Sequence, residues 1–228
     1  MGMFLRRGPA PNRTRLSDLE IGQTIKLNLN GTPWEWLVVH QGLPSSLYDA
    51  SCDGTWLLMK DIYEKRAWDD QNYNIYANST VEAYLSGDFL GLFDSGIQSV
   101  IKQVKIPYRD GTGYAGTDRG GANGLSCKIF LLSGPEVGLS GGNDMPNDGT
   151  KLDYFTETTS ADGKRMAYLN GTAELWGLRS PTTNNSMNVN YITAEGGYQG
   201  YMARDKYGIR PAIILPSDML VTDDMLAA

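Results

Sequence analysis

Alternating apolar and polar residues predict a β-hairpin near the start of the chain. Residues 25–29 read Ile-Lys-Leu-Asn-Leu, a pattern typical of a strand with one buried face. Asn30 and Gly31 follow as a hairpin turn signal, and residues 34–40 supply the returning strand. The continuous apolar run over residues 55–60 indicates a third strand that is buried on both faces.

Two helices are predicted in the central part of the chain. The first covers about residues 78–87, because Ser79 and Glu82 have the spacing of a capping box before an apolar face. The second covers about residues 94–105, where apolar residues recur at helical spacing before Pro107 closes the pattern.

The last third of the chain predicts short strands separated by glycine-containing turns. The predicted later strands cover residues 126–133, 165–169, 175–180, 187–193, 198–203 and 209–215. Pro211 makes the last of these an edge strand or a bulged one. The glycine-rich segments 108–123 and 138–149 are predicted to be loops. Strands, two helices and further strands together predict an α+β domain with mostly antiparallel strands.

Composition changes at both ends suggest the domain boundaries. Residues 1–16 are basic and aperiodic, so we predict a flexible arm, or alternatively a peptide that docks on a larger assembly. The folded domain is predicted to cover residues 17–217, with a ligand-display region at 181–208 and a tail at 218–228.

Charge and composition exclude several classes of partner. Twenty basic against 26 acidic residues give a net charge of −6, which provides no counterion-release affinity for nucleic acid. No apolar stretch approaches a membrane span, and no export signal is visible, so we predict neither membrane insertion nor secretion.

Motifs for cofactors and metals are scarce. Residues 111–116 match G-x-G-x-x-G, but no strand leads into them, so we predict no nucleotide site and no cofactor. Cys52 and Cys127 are too far apart for a metal knuckle and are predicted to be two buried thiols, with a single disulfide as the alternative. His40, the sole histidine, ends a strand and is predicted to be structural.

Acidic residues leave two further hypotheses open. Paired carboxylates could serve a glycoside or cell-wall hydrolase, with candidates at Asp61, Glu64, Asp69 and Asp70. A second acidic set could supply oxygen ligands to calcium, although a solvated turn explains it better because the alternating spacing of a calcium loop is absent. This second set is Asp144, Asn147 and Asp148.

The region between Pro181 and Gly208 is unusually rich in asparagine and tyrosine. Tyrosine combined with small polar residues is typical of adaptable binding surfaces. The same composition also suits turns and alternating strands.

A resemblance to a known family favours the binding interpretation. The segments Leu175-Trp-Gly-Leu-Arg-Ser-Pro181 and Gly208-Ile-Arg-Pro-Ala212 form a recurrent pair. Together with residues 36–44, 48–61 and 102–107 they resemble a domain of unknown function in gut bacteria and their prophages. Through that domain the chain is similar to the C-type-lectin-fold variable proteins of diversity-generating retroelements. The resemblance covers roughly residues 16–216.

The resemblance implies a C-type-lectin-like scaffold that displays a binding face on its late strands and loops. In diversified members of that class, template Asn codons are randomised into a set that includes Asn, Tyr, Ser, Asp, Gly and Thr. The positions here that fit this codon class, and that we predict to bind ligand, are Asn184, Asn185, Asn188, Asn190, Tyr191, Tyr198, Tyr201, Asp205 and Tyr207. Trp176, Arg179 and Arg210 are predicted to be scaffold residues instead.

The implied function is a non-enzymatic receptor-binding module of a phage or prophage tail. Its expected partners are a bacterial surface protein or glycan, and other virion proteins through the N-terminal arm. The Glu-Pro-Asn and Gln-Pro-Asp triplets of calcium-dependent lectins are absent, so calcium-mediated sugar binding is not implied. A purely structural virion component is a further alternative. A shallow surface of tyrosines and amides predicts affinity near micromolar, about −8 kcal/mol, strengthened by multivalent display.

Strand parity makes Tyr191 the least secure of these residues, because it faces away from Asn188 and Asn190. Tyr198 and Tyr201 are an odd number of positions apart, so a bend at Gly200 is required for both to face outward.

Overall fold

The computed structural model describes residues 13–139 and 144–226. The strands are β1 (Arg13–Arg15), β2 (Thr24–Leu29), β3 (Thr32–Gln41), β4 (Thr55–Met59), β5 (Glu64–Ala67), β6 (Val104–Ile106), β7 (Tyr108–Asp110), β8 (Thr117–Arg119), β9 (Leu125–Cys127), β10 (Ile129–Leu131), β11 (Ala167–Leu169), β12 (Thr172–Glu174), β13 (Trp176–Pro181), β14 (Asn188–Ile192), β15 (Tyr198–Met202), β16 (Lys206–Ile209), β17 (Pro211–Leu215) and β18 (Leu220–Thr222). The α-helices are α1 (Thr80–Tyr84) and α2 (Ser95–Val100). The remaining helical turns are Leu16–Asp18, Ala50–Cys52, Tyr76–Asn78, Leu85–Phe89, Leu90–Leu92, Gly113–Ala115, Gly121–Asn123 and Gly163–Arg165. The predicted mixed α+β, mostly antiparallel class is therefore confirmed.

A first five-stranded antiparallel sheet has the order β10-β17-β4-β3-β2. The predicted hairpin is confirmed: Asn30 and Gly31 both adopt positive φ, at 48° and 76°, which suits the tight turn between β2 and β3. Every residue of β4 is buried, as the continuous apolar run predicts.

A second five-stranded sheet has the order β15-β14-β13-β16-β5 and places β15 at its edge. Its β13–β16 pair is parallel and its other pairs are antiparallel. The chain passes from β16 in this sheet to β17 in the first one at Arg210. The strand predicted over 209–215 is therefore confirmed for residues 211–215 and wrong at its start, because Ile209 belongs to β16. Pro211 instead begins a central strand, at a position where the missing N–H is tolerated.

The helix predictions are correct at their starts and wrong at their ends. Ser79 Oγ accepts a hydrogen bond from Glu82 N at 3.2 Å and caps α1. The helical path then continues to Leu92, past Gly87, through one π turn and one 3₁₀ turn. The second helix ends at Val100, and β6 follows because it pairs with β9.

The ends of the described chain pair with each other. β1 and β18 form a two-stranded antiparallel sheet, in which Val221 of β18 is buried, as is Leu16 directly after β1. The predicted flexible arm and tail are therefore wrong for residues 13–16 and 220–222, while residues 1–12 lie outside the described residues. The predicted loop over 108–123 is also partly wrong, since it contains the β7–β8 hairpin. Within the described ranges, no helix is long and apolar enough to cross a membrane.

Candidate ligand-binding site

The β14–β15 hairpin forms the edge of the second sheet and presents two different faces. Its register places Asn188 opposite Met202, Asn190 opposite Gly200 and Ile192 opposite Tyr198. Because directly paired residues of an antiparallel ladder share a face, these six side-chain positions all point to one side. The alternate residues, including Tyr191 and Tyr201, point to the other side.

A polar cavity of about 210 Å³ opens on the first face. Its lining residues, which define the Asn-lined pocket, are Asp144, Met145, Thr182, Asn184, Asn185, Asn188, Asn190, Tyr198 and Gly200. The structure thus brings together five of the nine residues predicted to bind ligand. They come from the 182–188 loop and from two adjacent strands.

Several polar groups of the Asn-lined pocket have no partner among the described residues. Asn190 is only 3% exposed, and its Nδ2 donates to the carbonyls of Ser180 and Pro181 at 3.3 and 3.0 Å. Its Oδ1 accepts no hydrogen bond within the described part of the chain, and the side-chain amide of Asn188 makes none there either. These groups are available to an external molecule.

Gly200 keeps this pocket open. A Cβ at this position would lie 2.7 Å from Thr182 Cγ2 and 3.8 Å from Asn190 Oδ1. Any larger residue would therefore fill the space between the strand and the buried amide. The bend predicted at Gly200 is absent, because β15 continues through this residue without interruption.

Asn74 holds the 182–188 loop in place, and sequence analysis did not find it. Its side chain is fully buried, and Nδ2 lies within hydrogen-bond distance of the carbonyls of Thr182, Asn185 and Asn188, at 3.2, 3.0 and 2.8 Å. Asn185 reinforces the turn, because its Oδ1 accepts from the main-chain N–H groups of Met187 and Asn188. The asparagine-rich loop is therefore fixed by its backbone while some of its amides face outward.

The second face of the hairpin corrects part of the predicted binding surface. Tyr207 is only 2% exposed, packs against Tyr191 with ring centroids 5.3 Å apart, and donates its hydroxyl to Met202 O. Tyr207 is therefore a core residue, because its strand lies inside the sheet. Tyr191 is half-buried and donates to Gln199 Oε1 at 2.7 Å.

The two tyrosines of β15 do not share a surface. Tyr198 faces the Asn-lined pocket, whereas Tyr201 is 55% exposed on the opposite face. Asp205 lies in the turn after β15 and lines neither face of the hairpin. The single surface predicted from sequence is therefore divided into two.

Two exposed tyrosines that sequence analysis did not single out flank the asparagine-rich loop. Tyr73 precedes Asn74, whose main-chain N–H donates to Ser186 O, and Tyr114 follows Gly113, where a Cβ would lie 3.2 Å from the main-chain carbonyl carbon of Asn185. Tyr114 is 83% exposed. Their only sequence signal is a position beside turn residues, which tyrosines in many proteins share.

The predicted scaffold residues are all buried. Trp176 donates its indole N–H to Arg165 O at 2.8 Å. The Arg210 guanidinium lies 4.9 Å from the Trp176 ring centre and Nε donates to Met59 O, which joins the two sheets. Burial lowers the pKa of Arg210 to about 10. None of these side chains lines the pocket.

Arg179 is the centre of a buried ionic network, the Arg179 cluster, which also contains Glu136, Tyr48, Asp148 and Ser180. Arg179 donates to both oxygens of Glu136, at 2.5 and 2.6 Å, and Tyr48 donates to the same carboxylate. Although burial opposes its charge, the carboxylate of Glu136 raises the pKa of Arg179. A fork-to-fork pair of this kind is the strong form of an ion pair.

Asp148 shares this network but lies farther from the positive charge. Ser180 Oγ lies 2.9 Å from each oxygen of the carboxylate, and Arg179 binds the main-chain oxygen instead. Burial raises the pKa of Asp148 to about 7, against the lowering influence of Arg179. The solvated turn predicted at Asp148 is therefore wrong, because its side chain is fully enclosed.

Arg165 is a further buried arginine that sequence analysis missed. Its guanidinium lies within hydrogen-bond distance of main-chain carbonyls from three loop segments. The carbonyls belong to Val137, Gly138, Thr156, Thr158, Ser160 and Gly196. Arg165 thus orders loops that have little regular structure of their own.

Two of the four carboxylates considered for hydrolysis, Asp69 and Glu64, have structural partners. Both oxygens of Asp69 accept main-chain N–H groups, from Tyr73 at 2.8 Å and from Thr80 at 3.3 Å. Glu64 pairs with Arg66 at 2.9 Å. Each of these two acids is therefore occupied in fixing a strand or the start of a helix.

The two cysteines and the histidine are all buried. Cys52 and Cys127 are buried free thiols, and burial raises the pKa of Cys52 to about 11. His40 Nδ1 lies 2.7 Å from Asp153 Oδ2, while Nε2 is buried without a hydrogen-bond partner in the described ranges. Among the residues that the structure describes, no group of three or more His, Cys, Asp or Glu side chains could hold a metal ion.

The model of the family described as "Domain of unknown function (DUF6273)" matches residues 53–217, a stretch that contains every predicted binding residue. No curated protein and no solved structure matches the chain.

Proposed function

The chain belongs to the family described as Domain of unknown function (DUF6273), and we propose that it is a non-enzymatic binding module. Its ligand site is the Asn-lined pocket together with the exposed residues of the 183–187 loop. The finer fold assignment, a C-type-lectin-like scaffold, is part of the same proposal. It is supported by the resemblance of residues 175–181 and 208–212 and by the late position of the display hairpin.

One observation carries the functional proposal. The pocket is lined by the side-chain amide of Asn188 and by Asn190 Oδ1, which lack partners among the described residues, on a backbone that Asn74 fixes. These groups border an open pocket, so a polar ligand can take the place of the water that would otherwise hydrate them. A preformed polar wall lowers the entropic cost of binding.

The proposed context is the tail of a phage or prophage particle, with a protein or glycan of the bacterial surface as the ligand. The asparagine and tyrosine positions of the pocket remain compatible with retroelement diversification. A reverse transcriptase gene beside a near-identical template repeat would test that part of the proposal.

Adhesion to cells tests the function directly. The full chain is coupled to beads at high density and also used as a free monomer, and both are incubated with a panel of gut bacteria. We expect arrayed copies to adhere roughly 10² to 10⁴ times more strongly than the monomer. Failure of arrayed copies to adhere to any strain would contradict the proposal.

The same preparation tests the hydrolase alternative. Incubation with purified peptidoglycan is expected to release no soluble product. Release of product that is lost in Asp69→Asn or Glu64→Gln would establish an enzyme and overturn the proposed function.

A further inference from the structure

The chemistry of the Asn-lined pocket restricts the class of molecule that it accepts. Its lining residues include no lysine, arginine or histidine, and Asp144 is the sole charged side chain among them. A phosphate or carboxylate would therefore meet no compensating charge. Anionic ligands are disfavoured on this ground.

The pocket also differs from an apolar groove. Asn188 presents an amide with donors and an acceptor, and Asn190 adds its Oδ1 acceptor, while Asn190 Nδ2 and the Thr182 hydroxyl are bonded to main-chain carbonyls. Adjacent donor and acceptor groups match the alternating hydroxyls of a polyhydroxylated ring. The partly buried ring of Tyr198, which packs on the core, supplies an apolar wall beside these amides.

Size gives a third restriction. The cavity has a volume of about 210 Å³ and is open to solvent. This space suits one ring with its substituents, with the rest of a larger molecule extending into solvent.

We propose that the Asn-lined pocket is a calcium-independent subsite for one neutral sugar ring of a cell-surface glycan. The inference rests on the proposed binding function and names its ligand class. Asn188 and Asn190 hydrogen-bond the ring hydroxyls, Tyr198 packs against its apolar face, and Gly200 provides the space that the ring occupies.

Titration of the full chain with simple sugars, followed by amide NMR, tests this subsite. The probes are galactose, glucose and N-acetylglucosamine, with N-acetylneuraminic acid as the anionic comparison and a chelator present throughout. We expect neutral sugars to bind with Kd of about 1 mM. The amide signals that move should lie within residues 182–190 and 198–200. The anionic sugar should cause no movement there.

Three variants separate the pocket from the rest of the hairpin. Asn188→Ala should weaken binding about tenfold, the equivalent of one lost hydrogen bond at 1.4 kcal/mol per decade. Gly200→Ala, which places a methyl group in the cavity, should abolish it. Tyr201→Ala, on the opposite face of the same strand, should bind normally. Asn28→Ala in β2 is the matched asparagine control.

The outcomes distinguish this inference from the proposed function. The sugar subsite would be overturned if no neutral sugar moved the amide signals. It would also be overturned if Asn188→Ala and Gly200→Ala both bound the sugars as tightly as the natural chain does. If arrayed copies still adhere to cells in that case, and protease treatment of the cells removes adhesion, the ligand is a protein and the proposed binding function stands. Calcium-dependent binding would also overturn the inference.

Discussion

The Asn-lined pocket and the Arg179 cluster are both built from polar side chains, but these side chains have different roles in the two places. In the Arg179 cluster, Glu136 accepts from Arg179, Tyr48 and the Ser133 N–H, so a buried charge is surrounded by donors. In the pocket, the Asn188 amide and Asn190 Oδ1 project from a fixed backbone and have no hydrogen-bond partner in the described part of the chain. The difference teaches that pairing, rather than residue type, separates the scaffold of this protein from its recognition surface.

The largest expected effect comes from breaking the Arg179 cluster. Arg179→Ala leaves the buried charge of Glu136 without its partner, which should lower the free energy of unfolding by about 3–5 kcal/mol. Urea denaturation followed by fluorescence measures this change. Arg119→Ala, which removes an exposed arginine paired with Asp110 at 3.4 Å, is the matched control and should cost less than about 1 kcal/mol.

A double variant tests whether the loss of stability comes from the unpaired charge of Glu136. Arg179→Met combined with Glu136→Gln removes both charges, so it should be less destabilised than Arg179→Met alone. Equal losses in the two variants would show that the ion pair contributes little beyond the packing around it.

An intermediate effect is expected at Asn74, which links the scaffold to the pocket. Asn74→Asp replaces the amide donor by an acceptor that faces the carbonyls of Thr182, Asn185 and Asn188. The free energy of unfolding should fall by about 1–3 kcal/mol, because these carbonyls lose the Asn74 donor and only Asn188 O keeps the main-chain N–H of Thr182 as well. Hydrogen exchange should accelerate within residues 182–188 before it does so in the first sheet. Uniform acceleration throughout the protein would contradict a local positioning role.

Features made by neighbouring residues could be predicted from the sequence, whereas features made by distant residues could not. The β2–β3 hairpin was predictable because its turn and its alternation lie within about 20 consecutive residues. Asn74 was not, because its carbonyl partners are 108 to 114 positions away. Arg165 resembles any other basic residue near a turn until the loops that surround it are assembled.

The binding residues were predicted only in part for a related reason. Composition located the Asn/Tyr region, but strand parity alone could not say which face of β15 would be covered by the rest of the fold. Tyr207 became a core residue because β16 lies between β13 and β5. The break at Arg210 depends on a change of sheet, which local periodicity does not reveal.

A smaller effect, visible as pH dependence, is expected at Asp148. Its pKa is about 7 in the folded protein and 3.8 in the ordinary side chain, so the folded state binds the proton more tightly. Its contribution to stability is therefore fully present below about pH 4, falls as the pH rises towards 7, and is constant above that value.

Asp148→Asn removes this titration while keeping an oxygen that can accept from Ser180 Oγ. The difference in melting temperature between the variant and the natural chain should grow in favour of the variant from pH 5 to pH 8. Ser180→Ala is a useful companion, since it removes the hydrogen bond to Asp148 without changing the charge. A difference that is independent of pH would show that Asp148 is ionised in the folded protein throughout this range.

The most direct test of the division between scaffold and recognition surface is to measure stability and adhesion together in Asn188→Ala. Its side-chain amide has no partner among the described residues, so the free energy of unfolding should change by less than about 0.5 kcal/mol. Adhesion of arrayed copies to bacterial cells should fall about tenfold or more in the same preparation. Unchanged adhesion, or a loss of stability comparable to that of Asn74→Asp, would contradict the account.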